Sequence, residues 1–252
     1  MENKLYKVLG FMCLHYGKTY LEASLQSIEP FVDMMHISYV RNPSHGIKTS
    51  MENPDTEEEL YNIAIKVLKN KLIWESADSY ETESLHRHRR YAHSERYDII
   101  YSHDGDEVVE PSEMRIALNY IYNGEARYYG IKGYKNYFRS FSHFCDDGFR
   151  PIRGENLHRQ NYNQDLECPL TIHHFSLAMP IEVLKYKFSC FGHASEIRPN
   201  YLEEIFIPWT PKSDIEFLHP VSLSIWQKTK WADKHLLPQC LLQHPNFIKY
   251  VI

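Results

Sequence analysis

Val8 to Leu14 is a nearly continuous apolar run broken only by Gly10, the pattern of a short strand buried on both faces. After the Tyr16-Gly17 break, Leu21, Leu25 and Ile28 recur at i, i+4 and i+7 as far as Pro30, which predicts an amphipathic helix. Met34 to Val40 reads as a second strand. Asp55, with Glu58 three residues on, predicts the capped start of a helix whose apolar face is Leu60, Ile63, Ala64, Val67 and Leu68. Lys71 to Trp74 follows as a third strand, Tyr80 to Arg96 as an irregular helical stretch and Asp98 to Ser102 as a fourth strand. Pro111 then opens a helix with Met114, Ala117, Leu118 and Ile121 inside.

Strands and helices alternate through this half, so the expected class is α/β, a mostly parallel sheet with right-handed crossovers, helices on both faces and ligands at the carboxyl ends of the strands. The pattern changes from Ala126. Short aromatic strands (Arg127 to Ile131, Tyr134 to Phe141) precede a polar stretch from Cys145 to Cys168 with few periodic signals, and the region reads as loops and strands closing over the site. His173 to Ala178, a helix-like Pro180 to Phe188 and a tail rich in Trp and Pro complete the chain. The expected division is residues 1–125 as the α/β half and 126–252 as a smaller mixed region packed on the same domain.

Asp104-Gly105-Asp106-Glu107 directly follows the apolar run Ile99-Ile100-Tyr101, at one such carboxyl end. Two carboxylates two residues apart repel unless a cation lies between them, so the stretch reads as a divalent metal site of hard oxygen ligands, suited to a diphosphate. An acidic turn between strand and helix is the alternative. An EF-hand fails because Val108 falls where an oxygen ligand is needed, and Val108 also occupies the place of the Thr that an aspartyl-phosphatase motif requires.

Composition narrows the classes. The 252 residues can bury a sizeable core, and 43% hydrophobic with 24% charged residues is ordinary for a globular protein. The 14% aromatic share, with 19 Tyr, is high and fits either core packing or surfaces that grip flat ligands. A formal charge of −5 argues against a generally basic nucleic-acid-binding surface. Five scattered cysteines without a Cys-x-x-Cys pair read as reduced thiols. No segment reaches the roughly 20 apolar residues of a membrane span, and Met1 to Leu5 lacks a signal-peptide layout, so the expected location is cytoplasmic. Gly-rich phosphate loops and Gly-x-Ser-x-Gly are absent, which weakens kinases, P-loop proteins, dinucleotide oxidoreductases and serine hydrolases.

Tyr20-Leu21-Glu22-Ala23-Ser24-Leu25 after the first strand, Asp33 before the second, a basic stretch (His86-Arg87-His88-Arg89-Arg90) and Asp104-Gly105-Asp106 ending the fourth strand occur in an order that resembles the family-2-like glycosyltransferases of the GT-A fold. The resemblance spans residues 6–125, and His174-Phe175-Ser176, with Lys187 and His193 downstream, is a weaker echo of the same family. It implies a metal-dependent transfer of sugar from a nucleoside-diphosphate sugar, a UDP-sugar foremost, to a hydroxyl acceptor. Mn²⁺ or Mg²⁺ would be held by Asp104 and Asp106, with His174 completing the shell, although a buried structural histidine is the competing reading. Residues 1–125 would then bind the donor and 126–252 the acceptor. Where the family usually has an acidic residue for the base, this chain has Val40-Arg41-Asn42-Pro43.

Other roles follow with their alternatives. Tyr16 stacks on the nucleobase or packs on the sheet edge, and Arg87 and Arg89 grip the diphosphate or form a solvated basic face. Glu107 bonds a sugar hydroxyl or Asp104, or caps the next helix. Asp146 and Asp147 supply the base of an inverting reaction, or form a solvated turn. The acceptor is a saccharide, lipid-linked sugar or protein, or a modified base in DNA, which the negative charge disfavours. A non-catalytic sugar- or nucleotide-binding protein of the same fold is the rival from another class; nucleotidyl transfer lacks its Gly-rich start between Leu5 and Tyr20.

Overall fold

A computed structural model describes residues 5–43, 47–146, 148, 151–162, 166–242 and 244–245. Four strands, β1 (Val8–Leu14), β2 (Met34–Val40), β3 (Leu72–Ala77) and β4 (Ile99–Ser102), lie parallel in the order β3-β2-β1-β4. On the far side of β4 the sheet becomes mixed: β8 (Ile152–Asn156) runs antiparallel to β4, then come β6 (Tyr128–Phe138), β7 (His143–Cys145) and β10 (Lys230–Trp231). A short strand β5 (Glu107–Val109) pairs antiparallel with β9 (Leu166–Leu177), which lies parallel to β6. The α/β class is the one the sequence predicts.

Alternation along the strands sorts their side chains onto two faces. Val8, Met12, Leu14, Met35, Ile37 and Tyr39 are buried against α1 (Lys18–Ile28), α2 (Glu57–Leu68) and α4 (Pro111–Asn123), through Leu21, Leu25, Leu60, Ala64, Met114 and Leu118. Each such side chain contributes about 1.5–3 kcal/mol by leaving water. Phe11, Cys13, His36 and Ser38 occupy the opposite face, covered by the two-turn α3 (Glu83–His88) and the segment after it. There His86 Nε2 lies 2.8 Å from the Ser38 carbonyl.

The aromatic residues divide mainly into core. Tyr20 stacks on Phe175 at 4.9 Å and Tyr137 on Phe175 at 4.6 Å, in a second buried cluster between β6, β9, α5 (Ile181–Cys190) and the C-terminal segment.

Several boundaries differ from expectation for physical reasons. Asp55 does not cap α2. Thr56 does, in a reciprocal capping box with Glu59, while the buried Asp55 carboxylate accepts the Gly17 and Lys18 N–H groups at 2.7 and 2.9 Å and so caps α1. Gly17 has φ +130°, which a side chain would strain, and the turn it makes brings those two N–H groups together. The two aromatic strands after Ala126 are one long β6 whose register shifts absorb Gly130 and Gly133. The stretch 145–168, expected to hold loops and strands, contains β8; its Ile-Arg-Gly-Glu-Asn sequence has no apolar run because Arg153, Glu155 and Asn156 are buried by pairing with Asp104 and Glu107, with Arg127 and Tyr91, and with the carbonyls of Ile121 and Tyr122. Among the described residues no helix is long and apolar enough to cross a membrane.

Candidate functional site

The winding of the sheet reverses between β1 and β4, and open parallel sheets form a crevice at the carboxyl ends of the strands on either side of such a reversal. A cavity of about 260 Å³ lies there. The end of β1 supplies Cys13 through Gly17, the turn after β4 supplies Asp104, Gly105 and Asp106, α3 supplies His86 and Arg87, and His174 of β9 and Lys187 of α5 close the far wall.

Asp106 turns toward that far wall. Its two oxygens lie 3.5 Å from His174 Nε2 and 3.5 Å from Lys187 Nζ. Burial would raise this carboxyl, but the neighbouring His174 and Lys187 outweigh it and hold Asp106 well below the usual carboxylate range. The backbone fixes the approach: the Phe175 N–H donates to the Asp106 carbonyl at 2.9 Å, and β5 places Glu107 opposite His174 on β9. His174 Nδ1 donates to Asn136 Oδ1 at 2.8 Å, which turns its Nε2 toward Asp106. The ring also packs on Tyr134 with centroids 4.8 Å apart.

Asp104 is tied differently. Arg153 Nη2 donates to Asp104 Oδ2 at 2.7 Å and also to Glu107 Oε1, so one buried guanidinium bridges both carboxylates. Arg87 Nη1 stands 3.7 Å from the other oxygen of Asp104. Burial is the largest influence on Asp104, yet the two arginines together lower it. Glu107 is fully buried, and there burial prevails over Arg153 and raises its carboxyl. Its Oε1 also accepts from Tyr134 Oη at 2.8 Å, and Oε2 accepts the Asp104 N–H at 3.1 Å. Glu107 therefore braces the turn that carries both aspartates and does not line the cavity.

Of the residues singled out in the sequence, Asp104, Asp106, His174, Tyr16 and Arg87 all line this one cavity. Tyr16 packs edge-on against Tyr186 at 5.4 Å. Arg89 is elsewhere, 2.7 Å from Glu75 Oε1, and Arg90 reaches toward Glu155 at 3.5 Å. Asp146 is exposed in a turn, accepting the Gly148 N–H at 3.1 Å, and lines neither this cavity nor its neighbour. Asp147 lies outside the described residues. Asp104, Asp106 and His174 do not bring three ligand atoms within 4.8 Å of one another. The Asp104 carboxylate is instead engaged by Arg153 and Arg87. Arg153, Asn136 and Tyr134 were not anticipated, since each acts through another side chain and none stands in a recognisable motif.

A second cavity, about 600 Å³, adjoins the first and shares His174, Lys187 and Phe191 with it. Phe188, Trp226, His193 and His219 give it aromatic walls.

No family model matches this chain, and no curated protein does. Solved structures match in part. Glucosyl-3-phosphoglycerate synthase from Mycobacterium tuberculosis, in complex with Mn²⁺, UDP and glucosyl-3-phosphoglycerate, is 14% identical with a TM-score of 0.38, over 52% of this chain and 44% of that one. S. aureus TarS is 15% identical with a TM-score of 0.36, over 52% of this chain and 22% of that one. This chain thus spans less than half the length of either. Similarity this low decides nothing about chemistry; the strand order and the cavity stand without it.

Proposed function

We propose that the chain is a metal-dependent glycosyltransferase that takes a sugar from a nucleoside diphosphate, a uridine diphosphate by the resemblance, and passes it to a hydroxyl acceptor. The observation that carries this reading is Asp106 facing His174 and Lys187 at the β1/β4 crevice. One carboxylate and one imidazole lone pair, with oxygen atoms of a diphosphate and water filling the other positions, suit Mn²⁺ or Mg²⁺, which bind through one or two protein groups plus phosphates more often than in all-protein cages. Such an ion, when bound, offsets negative charge on the departing diphosphate.

The side chains supply the remainder. Lys187 and Arg87 place two cations on opposite walls of the cavity, where they attract the phosphates and stabilise the charge that grows as the glycosidic bond breaks. Tyr16, at the end of β1, offers a ring face to the base. Asp104 stays ionised beside Arg153 and Arg87 and orients Arg87 toward the phosphates. The first cavity is small for a whole nucleotide sugar, since drug-sized ligands occupy roughly 300–1,000 Å³. Joined to the second it is large enough for donor and acceptor together, and the aromatic walls of the second suit the apolar faces of a sugar ring in an acceptor saccharide. Residues 126–252 form most of that acceptor side.

The deciding experiment compares wild type with Asp106→Asn for nucleoside-diphosphate binding by thermal shift, with and without Mn²⁺, and for release of sugar from UDP-sugars. A shift that needs both metal and nucleotide, and a loss of turnover of roughly 10²–10³ in the variant at unchanged folding, is expected. Unchanged turnover in Asp106→Asn defeats the proposal.

A further inference from the structure

The sheet face beneath α3 and the segment after it carries polar residues where apolar ones are expected. His36, at the centre of β2, is fully buried between Phe11 of β1 and Ile73 of β3. Its Nε2 lies 2.9 Å from Glu75 Oε2, and its Nδ1 has no hydrogen-bond partner. A neutral imidazole has one N–H and one lone pair. If the proton is on Nδ1, the lone pair of Nε2 points at a carboxylate; if it is on Nε2, the lone pair of Nδ1 meets nothing. Neither tautomer gives that lone pair a donor, which costs about 1–3 kcal/mol in a buried site.

A cation between Nε2 and Glu75 takes up the lone pair that the Nδ1–H tautomer turns on the carboxylate. His93, exposed just before the short 3₁₀ turn of residues 94–96, sets its ring edge-on to His36 with centroids 4.8 Å apart. One ligand atom from each of His36, Glu75 and His93 lies within 4.8 Å of the other two, and among the described residues no other group of three does so. Metal–ligand bonds of about 2.0–2.2 Å place tetrahedral ligands about 3.3 Å apart, so a turn of the exposed His93 ring closes the set. Glu75 is already oriented from behind: Arg89 Nη2 holds its other oxygen at 2.7 Å, the kind of outer contact that fixes a ligating carboxylate.

We propose that His36, Glu75 and His93 form a zinc site, separate from the catalytic cavity and independent of the glycosyltransferase reading. Two imidazoles and one carboxylate suit Zn²⁺ over the oxygen-seeking Mg²⁺ and Mn²⁺, with a water as fourth ligand. The ion pins the segment after α3 to β2 and β3. Because α3 carries Arg87 into the cavity, the clamp holds that arginine's helix in place.

The test strips the purified protein with a chelator and titrates Zn²⁺ against a chromophoric competitor, in wild type, His93→Ala and Asp106→Asn. His93 is exposed, and matching melting curves of the metal-free proteins establish that the variant folds. The tightest zinc equivalent is expected to survive Asp106→Asn and to weaken at least tenfold in His93→Ala. Co²⁺ should give the visible absorption of a tetrahedral ion in wild type and lose it in His93→Ala. Equal zinc affinity in wild type and His93→Ala, or an equivalent lost in Asp106→Asn and kept in His93→Ala, overturns the proposal.

Discussion

His174 and Asp106 face each other with Nε2 and Oδ1 3.5 Å apart, and Asn136 Oδ1, accepting from Nδ1, fixes the ring with Nε2 on that side. Under the proposed function, loss of either the imidazole or the amide that orients it should weaken metal binding without unfolding the protein. His174→Ala is expected to reduce Mn²⁺-dependent nucleotide binding about 10- to 100-fold, and Asn136→Leu, which frees the ring to flip, by a smaller factor. Calorimetric titration of UDP with Mn²⁺ present measures both, and an Asn136 variant weaker than His174→Ala would contradict the assigned order of roles.

Arg153 should prove a stability residue before it proves a catalytic one. It is buried, its charge is held by Asp104 and Glu107 against the cost of burial, and its removal leaves Glu107 as an unpaired charge in the core. Breaking such a pair costs about 3–5 kcal/mol. Arg153→Met should therefore lower the urea midpoint strongly, and adding Glu107→Gln should restore much of it; a double variant no more stable than the single one would show that the ion pair is not the cause.

The two caps at the start of α1 and α2 separate stability from binding. Thr56→Ala and Asp55→Ala each lose a cap worth about 0.5–2 kcal/mol. Only Asp55→Ala also loosens Tyr16-Gly17 at the cavity wall, so it alone should raise the KM for nucleotide sugar. Equal KM values in the two variants would sever that link.

Acid should destabilise the protein earlier than its carboxylates dictate. Burial lowers His103 to about 4 and His173 to about 3, below the unfolded value near 6.5. Above that value neither state holds the proton and these groups contribute nothing. Below it the unfolded chain binds protons that the folded one refuses, and stability falls by up to about 1.4 kcal/mol per pH unit for each histidine until the folded values are reached. Asp104 and Asp106, both depressed, add a further loss below about pH 4, while the raised Glu107 works in the opposite direction. Urea midpoints should drop from about pH 7 to pH 5, with a shallower slope in His103→Leu. A flat profile over that range would contradict the assignment.

Much of the first half was legible because apolar periodicity reports directly on burial. The runs that became β1, β2 and β4 and the faces of α1, α2 and α4 are buried where the pattern put them. Asp104 and Asp106 could be located because a carboxylate pair after a strand is costly without a partner. Arg153 could not, since β8 buries arginine, glutamate and asparagine by pairing them, and a sequence shows no pairing. Arg89 was misleading for the converse reason: it stands in a basic run next to Arg87, but the 3₁₀ turn after α3 sends it to Glu75. Asp55 shows the limit of local capping rules, because its N–H partners are far away in sequence, at Gly17 and Lys18.

The guanidinium shared by Asp104 and Glu107 serves as a resident counterweight to two of the carboxylates beside the cavity. Under the proposed function a bare divalent ion meets Lys187 and Arg87 in the cavity, and a bare diphosphate meets the carboxylate of Asp106. Each ligand thus makes room for the other, and the two should load as a single chelate whose assembly, rather than the abundance of free metal in the cell, sets when the protein is charged for work.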